Sequence, residues 1–138
     1  MHNHNHTNLP TSITILAFFA TCIALWNMIR AYSALSNWQI LSEFGANPAY
    51  ILITGCVWVL TWLWLVRTIL TGTHYAIRSG LAVAGLYYLW YWGDRLFMQP
   101  SPAPNLLFSA VVSTVLLAIF SIILIIPTTK AFFYKEHQ

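Results

Sequence analysis

The stretch Ala76–Phe97, AIRSGLAVAGLYYLWYWGDRLF, is the part of the sequence around which the rest is organised. It begins with small residues that let helices approach closely, continues as a dense run of aromatic residues, and ends in the adjacent charges Asp94 and Arg95. A helix of about 20 largely apolar residues can cross the hydrocarbon core of a bilayer. We therefore expect a transmembrane helix whose last charges lie at a membrane face.

The composition points to lipid as the solvent of the whole chain. Among its 138 residues, 59% are hydrophobic and 7% are charged, and the mean hydropathy is +0.67. Globular proteins carry about 25% charged residues. Four apolar windows account for most of the length, so no room is expected for a soluble domain.

The four windows lie at about residues 12–35, 48–70, 75–97 and 105–126. Asn47 followed by Pro48 is a strong helix start, and Gly72 and Pro127 mark helix ends. A polar, histidine-rich tail, residues 1–11, precedes a four-helix domain at 12–127, and a basic, aromatic tail follows at 128–138. The expected fold is an all-α integral membrane four-helix bundle with up-down-up-down topology.

The basic residues lie singly near the ends of the predicted spans, which is typical of topology signals and gives no basic patch for nucleic acid. On the side of the two termini are Arg67, Arg78, Lys130 and Lys135. On the opposite side are Arg30 and Arg95. The positive-inside rule therefore predicts cytoplasmic termini in a multi-pass membrane protein.

Arg30 lies inside the end of the first span, where an unpaired charge is costly. With the predicted topology, Asp94 reaches the same face at a comparable depth, and Glu43 lies in the loop on that side. We expect Arg30 to contact Asp94 or Glu43. The contact is interpreted as a structural clasp that fixes helix register; a proton or ion relay is the alternative, although pumps usually carry their carboxylates deeper.

Two stripes of small residues recur every four positions in the third and fourth spans. They are Ala76, Gly80 and Ala84, and Ala110, Thr114 and Ala118. Such residues drive helix association in lipid by letting backbones approach. We expect the two stripes to face either each other or a partner.

The aromatic run of the third span covers nearly every direction around the helix. It comprises Tyr87, Tyr88, Trp90, Tyr91 and Trp92. Part of this face is expected to pack against neighbouring helices and an interfacial belt, and the alternative is a bound lipid, quinone or pigment tail.

The remaining metal-binding and redox residue types do not form a strong motif. His2, His4 and His6 could chelate a metal in an extended segment, but a solvated tail is favoured because no Cys, Asp or Glu accompanies them. Cys22 and Cys56 lack a CxxC partner and are interpreted as packing residues. No predicted span carries a histidine pair for a haem, so we expect no cofactor of its own.

These features favour a non-catalytic accessory or stabilising subunit that docks on larger polytopic membrane subunits and contacts membrane lipids. The predicted spans offer no carboxylate at mid-depth and no nucleophile with a base, so an enzyme is not expected. A small four-helix transporter that acts as a homodimer is the alternative, and a membrane dithiol or quinone reductase is disfavoured by the unpaired cysteines.

Three short stretches carry a resemblance to a known family. They are Trp26–Arg30 (WNMIR), Thr54–Trp58 (TGCVW) and Tyr91–Leu96 (YWGDRL). They resemble small four-helix membrane proteins of filamentous phototrophic bacteria, and the chain is similar to the small extra membrane subunit of the quinol-oxidising alternative complex III. The resemblance implies partner subunits that oxidise menaquinol and carry haem or iron–sulfur groups, and it assigns no functional residue to this chain.

Overall fold

The structure is a computed structural model that describes residues 9–98 and 105–135, and every regular element in those residues is helical. The elements are α1 (Thr11–Ser36), α2 (Trp38–Glu43), α3 (Pro48–Leu70), α4 (Ala76–Gly93), a π-helical segment (Asp94–Met98), α5 (Leu106–Ile125) and α6 (Pro127–Lys135). The all-α expectation is confirmed for this part of the chain. His2, His4 and His6 lie outside the described residues.

Local sequence signals explain where α3 begins and ends. The Asn47 side chain accepts a hydrogen bond of 3.1 Å from the backbone N–H of Tyr50, and Pro48 occupies the first turn, where its missing N–H costs nothing. After α3, Gly72 takes a φ of +66°, a conformation that glycine adopts without a Cβ clash. These signals account for a helix that runs from residue 48 to residue 70.

Helices α1, α3 and α5 are each long and apolar enough to cross a membrane, which supports the expected class of membrane protein. Helix α4 is not among these three, since Arg78 and its tyrosines and tryptophans lower its mean hydropathy. The four-span arrangement therefore stays a prediction, although the bounds of the four long helices follow the four apolar windows closely.

The most extensive helix contact joins α1 to α3. Gly55, near the start of α3, lies against Ala31, near the end of α1, so the two helices run antiparallel. The buried residues of α1 that form its inner face are mostly alanines: Ala17, Ala20, Ala24, Ala31 and Ala34. Together with buried Asn27 they recur at intervals of three and four, the spacing of one helix face. This small-residue stripe was not singled out from the sequence, although its spacing is a readable signal.

Helix α5 runs antiparallel to α4 and packs on its small-residue stripe. Ala76, Gly80 and Ala84 are buried, and a Cβ on Gly80 would lie 2.9 Å from Cδ1 of Leu124. Leu124 therefore fills the space that Gly80 leaves open.

The second predicted stripe does not face the first, so of the two expected arrangements only contact with a partner stays a prediction. Thr114 and Ala118 are exposed and Ala110 is half-buried. The physical reason is that the branched side chain of Leu124 fits the gap at Gly80 better than another small residue would.

The C-terminal segment is part of the core. Residues predicted as a tail form α6, which contacts α1 and α5, and Phe133 is fully buried among core side chains. Phe132 packs partly against the same core, whereas Tyr134 is 64% exposed. Phe133 of the predicted basic, aromatic tail is therefore a core residue, because core side chains bury its ring.

We predict that Gly55→Ala destabilises the protein by about 1–3 kcal/mol through overpacking. The new Cβ would lie 2.9 Å from Cβ of Ala31 and 3.2 Å from the carbonyl oxygen of Asn27, so a backbone must move. The matched control is Gly85→Ala, whose Cβ meets nothing within 4 Å and gains helix propensity. Unfolding of the detergent-purified protein by heat or by SDS measures the stability of both variants. Equal stability of the two variants would contradict the close approach of α1 and α3.

Candidate functional site

The structure brings Arg30 of α1 and Asp94 of the π-helical segment together. Nη2 of Arg30 donates to both carboxylate oxygens of Asp94, at 3.2 Å and 3.1 Å. The side chains keep 23% and 13% exposure, respectively, so the pair is partly buried. The contact ties the C-terminal part of α1 to the end of α4, which are far apart in sequence.

A change of helical geometry accompanies this contact. Helix α4 ends at Gly93, and the next five residues form a π-helical segment that starts with Asp94. Such segments are rare and are frequently found at functional sites. The wider helical turn begins at Asp94, the residue that pairs with Arg30.

An aromatic ring completes the surroundings of Arg30. Its guanidinium carbon lies 4.7 Å from the centre of the Trp90 ring, within the range of a cation–π interaction. The positive charge is thus held between a carboxylate and an aromatic face, both supplied by the end of α4 and the π-helical segment.

Glu43 does not take part in this ion pair, which corrects its place in the predicted set. It ends the short, exposed helix α2 and forms no ion pair with Arg30, although both residues are described. The physical reason is that a hydrated carboxylate at the surface gains little from pairing.

One turn before Arg30, Asn27 links α1 to the middle of α4. It is fully buried, and its Nδ2 donates to the carbonyl of Ile23 at 2.9 Å and to the hydroxyl of Tyr87 at 3.1 Å. Its Oδ1 has no hydrogen-bond partner among the described residues. Because Asn27 and Arg30 are three residues apart, they share a face, and that face points at α4.

The predicted aromatic set divides into two groups. Tyr87 and Trp90 face inward: the Tyr87 ring meets Trp58 and Trp62 edge-on, with centroids 4.9 Å and 5.5 Å apart, and Trp90 lies 5.4 Å from Trp58. Trp62 is 1% exposed and lies in the core, and Trp58 packs against that core from one turn earlier on α3. A tryptophan in the middle of a span faces a neighbouring helix as readily as lipid.

The other three aromatic residues make contacts outside that inner cluster. The Tyr88 hydroxyl shares a hydrogen bond of 2.9 Å with Thr114 of α5. The Tyr91 hydroxyl accepts from Nη1 of Arg95 at 3.2 Å, and the Tyr91 and Trp92 rings meet edge-on at 5.7 Å. These contacts tie α4 to α5 and to the π-helical segment.

An apolar depression of about 600 Å³, here called the lateral groove, lies between α1, α4 and α5. Its lining includes Cys22, Trp26, Tyr88, Tyr91 and Phe108. Cys22 and Cys56 are free thiols and both are exposed, so the expectation that they pack inside the protein is wrong. Cys22 faces the lateral groove, where no neighbouring helix covers it.

A second depression of about 580 Å³, here called the end cleft, opens where α1 ends, α3 begins and α4 ends. It contains both members of the ion pair. Its other polar lining residues are Ser33, Asn47 and Tyr50. The end cleft is therefore a ligand-sized space whose wall contains one pair of opposite charges.

Within residues 9–98 and 105–135, no three His, Cys, Asp or Glu side chains are grouped as a metal site would require. The three N-terminal histidines lie outside those residues and stay a prediction.

Comparisons with known proteins give no relative. No protein-family model, no curated protein sequence and no solved structure matches the chain. The similarity to the accessory subunit of alternative complex III therefore stays a prediction from three short stretches.

We predict that Arg30→Gln or Asp94→Asn alone destabilises the protein, because each leaves one charge unpaired in a partly buried position. The expected loss lies between about 1 kcal/mol, as for exposed pairs, and about 3 kcal/mol, the lower end for buried ones. The double variant should lose less stability than the sum of the losses in the two single variants. The control Glu43→Gln changes an exposed carboxylate and should stay within about 0.5 kcal/mol of the parent. Strictly additive losses in an unfolding titration would argue against the pair.

We also predict that Tyr87→Phe destabilises the protein by about 0.6–1.7 kcal/mol, the range of hydrogen bonds measured within membranes. The substitution removes the hydroxyl acceptor of buried Asn27. Tyr88→Phe is the matched comparison, since its bond to Thr114 is not buried. The Thr114 hydroxyl can turn to a backbone carbonyl of its own helix when the Tyr88 hydroxyl is lost. Thermal unfolding in detergent ranks the two variants by stability. A larger loss of stability for Tyr88→Phe would contradict the inference that the bond between Asn27 and Tyr87 stabilises the contact of α1 with α4.

Proposed function

We propose that this chain is a non-catalytic accessory subunit that stabilises a larger complex in a bacterial inner membrane. In this proposal α1, α3, α4 and α5 all cross the bilayer, alternating in direction, and both termini are cytoplasmic. The topology is supported by the antiparallel contacts of α1 with α3 and of α4 with α5, and by the distribution of basic residues.

The observation that carries the proposal is the uncovered face of α5. Helix α5 is the most apolar of the three candidate spans, and 11% of the residues in its most apolar segment are buried, against 33% for α1. Its stripe of Ala110, Thr114 and Ala118 is largely exposed. Small residues on an open helix face allow another transmembrane helix to approach closely. A helix of a partner subunit would therefore fit this face.

The polar groups of the long helices support a structural role over a proton relay. Arg30 pairs with Asp94, and Asn27 bonds to Tyr87, so these groups hold α1 against α4. Asp94 lies after the end of α4, whereas the carboxylates of proton-coupled transporters usually lie deeper in the membrane. The ion pair is accordingly interpreted as a clasp.

The proposed partner is a quinol-oxidising electron-transfer complex, respiratory or photosynthetic. This part of the proposal rests on the resemblance of the three short stretches. The redox cofactors would belong to the larger subunits, and this chain would contribute a lipid- and subunit-facing surface.

We predict that Ala118→Trp reduces recovery of the partner subunits at least about tenfold, which corresponds to about 1.4 kcal/mol. The bulky ring would hold a partner helix away from the α5 face. The matched control is Leu60→Trp, at a position on α3 that is 69% exposed. The tagged chain is purified from its native membranes in mild detergent, and native mass spectrometry gives the subunits. Circular dichroism checks that both variants stay helical.

The outcomes separate the proposal from its alternative. Loss of partners with Ala118→Trp and retention with Leu60→Trp supports docking through α5. A homodimer that binds a small substrate and lacks larger subunits would overturn the accessory role in favour of a transporter. If larger subunits co-purify but show no haem absorbance and no iron, the electron-transfer part of the proposal is wrong.

A further inference from the structure

The end cleft combines opposite charges with an adjoining apolar surface. Arg30 and Asp94 form part of its wall, and Ser33 and Tyr50 add hydroxyl groups. Trp26 and Ile29, which also line it, are 65% and 57% exposed. A polar end and an apolar flank therefore lie within one turn of α1.

The ion pair leaves hydrogen-bonding capacity on both of its members. Arg30 uses Nη2 for Asp94, and its Nη1 and Nε groups have no acceptor among the residues that the structure describes. A carboxylate has about four lone-pair positions, and Arg30 occupies two of those on Asp94. The Tyr50 hydroxyl also interacts with this carboxylate, so if it takes a third position one position is left for a ligand donor. The end cleft thus offers cationic donors and anionic acceptor sites side by side, with formal charges that cancel.

We propose that the end cleft binds the headgroup of a zwitterionic phospholipid with a primary ammonium group, as in phosphatidylethanolamine. The phosphate oxygens accept from the free guanidinium N–H groups of Arg30, which matches the geometry that arginine offers to phosphate. The ammonium group donates to a remaining lone pair of Asp94 through a charge-assisted hydrogen bond. The acyl chains lie along the exposed apolar surface at Trp26 and Ile29.

Charge complementarity selects this headgroup over the other common types. An anionic headgroup, such as phosphatidylglycerol, would satisfy Arg30 but would bring a second negative charge next to Asp94. A choline headgroup carries the positive charge without an N–H to donate to the carboxylate. The site requires that the helices lie in a bilayer, and it does not depend on docking to a larger complex.

The experiment measures lipid retention by the purified full-length chain. Delipidated protein in detergent is titrated with phosphatidylethanolamine, phosphatidylcholine or phosphatidylglycerol of identical acyl chains, and native mass spectrometry counts the bound lipid. We expect one ethanolamine lipid to be retained about tenfold more strongly than either of the other two, the scale of one charge-assisted hydrogen bond.

Two variants test where the lipid binds. Ser33→Trp fills the end cleft and leaves both charges in place, and it should abolish the preference; its control is Ser36→Trp, at an exposed position of α1 outside the lining. Asp94→Asn removes the negative charge and should reverse the preference toward phosphatidylglycerol. A purely structural role of the ion pair would change stability without reversing lipid choice.

Several results would overturn the inference. Equal retention of the three lipids by the parent protein indicates non-specific contact, and a parent preference for phosphatidylglycerol indicates an anion site formed by Arg30 alone. Retention that survives Ser33→Trp in a folded protein places the lipid elsewhere. If Ser33→Trp does not fold, the parent titration and the Asp94→Asn reversal still decide the matter. A chain that purifies without any partner would refute the accessory role and leave this lipid measurement intact.

Discussion

The close approach of α1 to α3 is the constraint on which the rest of the structure depends. In lipid, helices gain little by hiding apolar side chains from one another, so association depends on close packing and on polar contacts. At Gly55 the backbones of the two helices come so near that a Cβ would touch Ala31 at 2.9 Å. This contact fixes the rotation of α1, and the rotation decides where Asn27 and Arg30 point.

Once α1 is fixed, its polar face determines how α4 is placed. Asn27 bonds to Tyr87 near the middle of α4, and Arg30 bonds to Asp94 just beyond its end. Both bonds lie on the same side of α1, so together they define the register and the rotation of α4. With that rotation, Tyr87 and Trp90 turn toward the tryptophans of α3, and Tyr88 turns toward Thr114 of α5. Packing and polar contacts therefore agree on one arrangement.

The same arrangement leaves two surfaces of different chemistry. The open face of α5 is apolar and carries small residues, which suits a protein helix. The end cleft carries both charges and adjoins exposed apolar residues, which suits a lipid headgroup with its chains. A subunit that held a lipid at one end and a partner along α5 would present both to a larger assembly at a fixed spacing.

The sequence by itself determined the helical class, the membrane character and the approximate limits of the long helices. These properties follow from local composition: apolar length, the Asn47–Pro48 start and the glycine after α3 act over a few residues. An unpaired charge on Arg30 inside a span would be costly, so the sequence also limited its expected partner to Asp94 or Glu43.

Only the tertiary structure decided between these two carboxylates, because the choice depends on helix rotation and on the direction of the short helix α2. It also decided that Leu124 covers Gly80, that Phe133 is buried, and that the alanine face of α1 meets Gly55. Each of these contacts joins residues that are distant in the sequence, and periodicity alone does not state which helix face meets which neighbour.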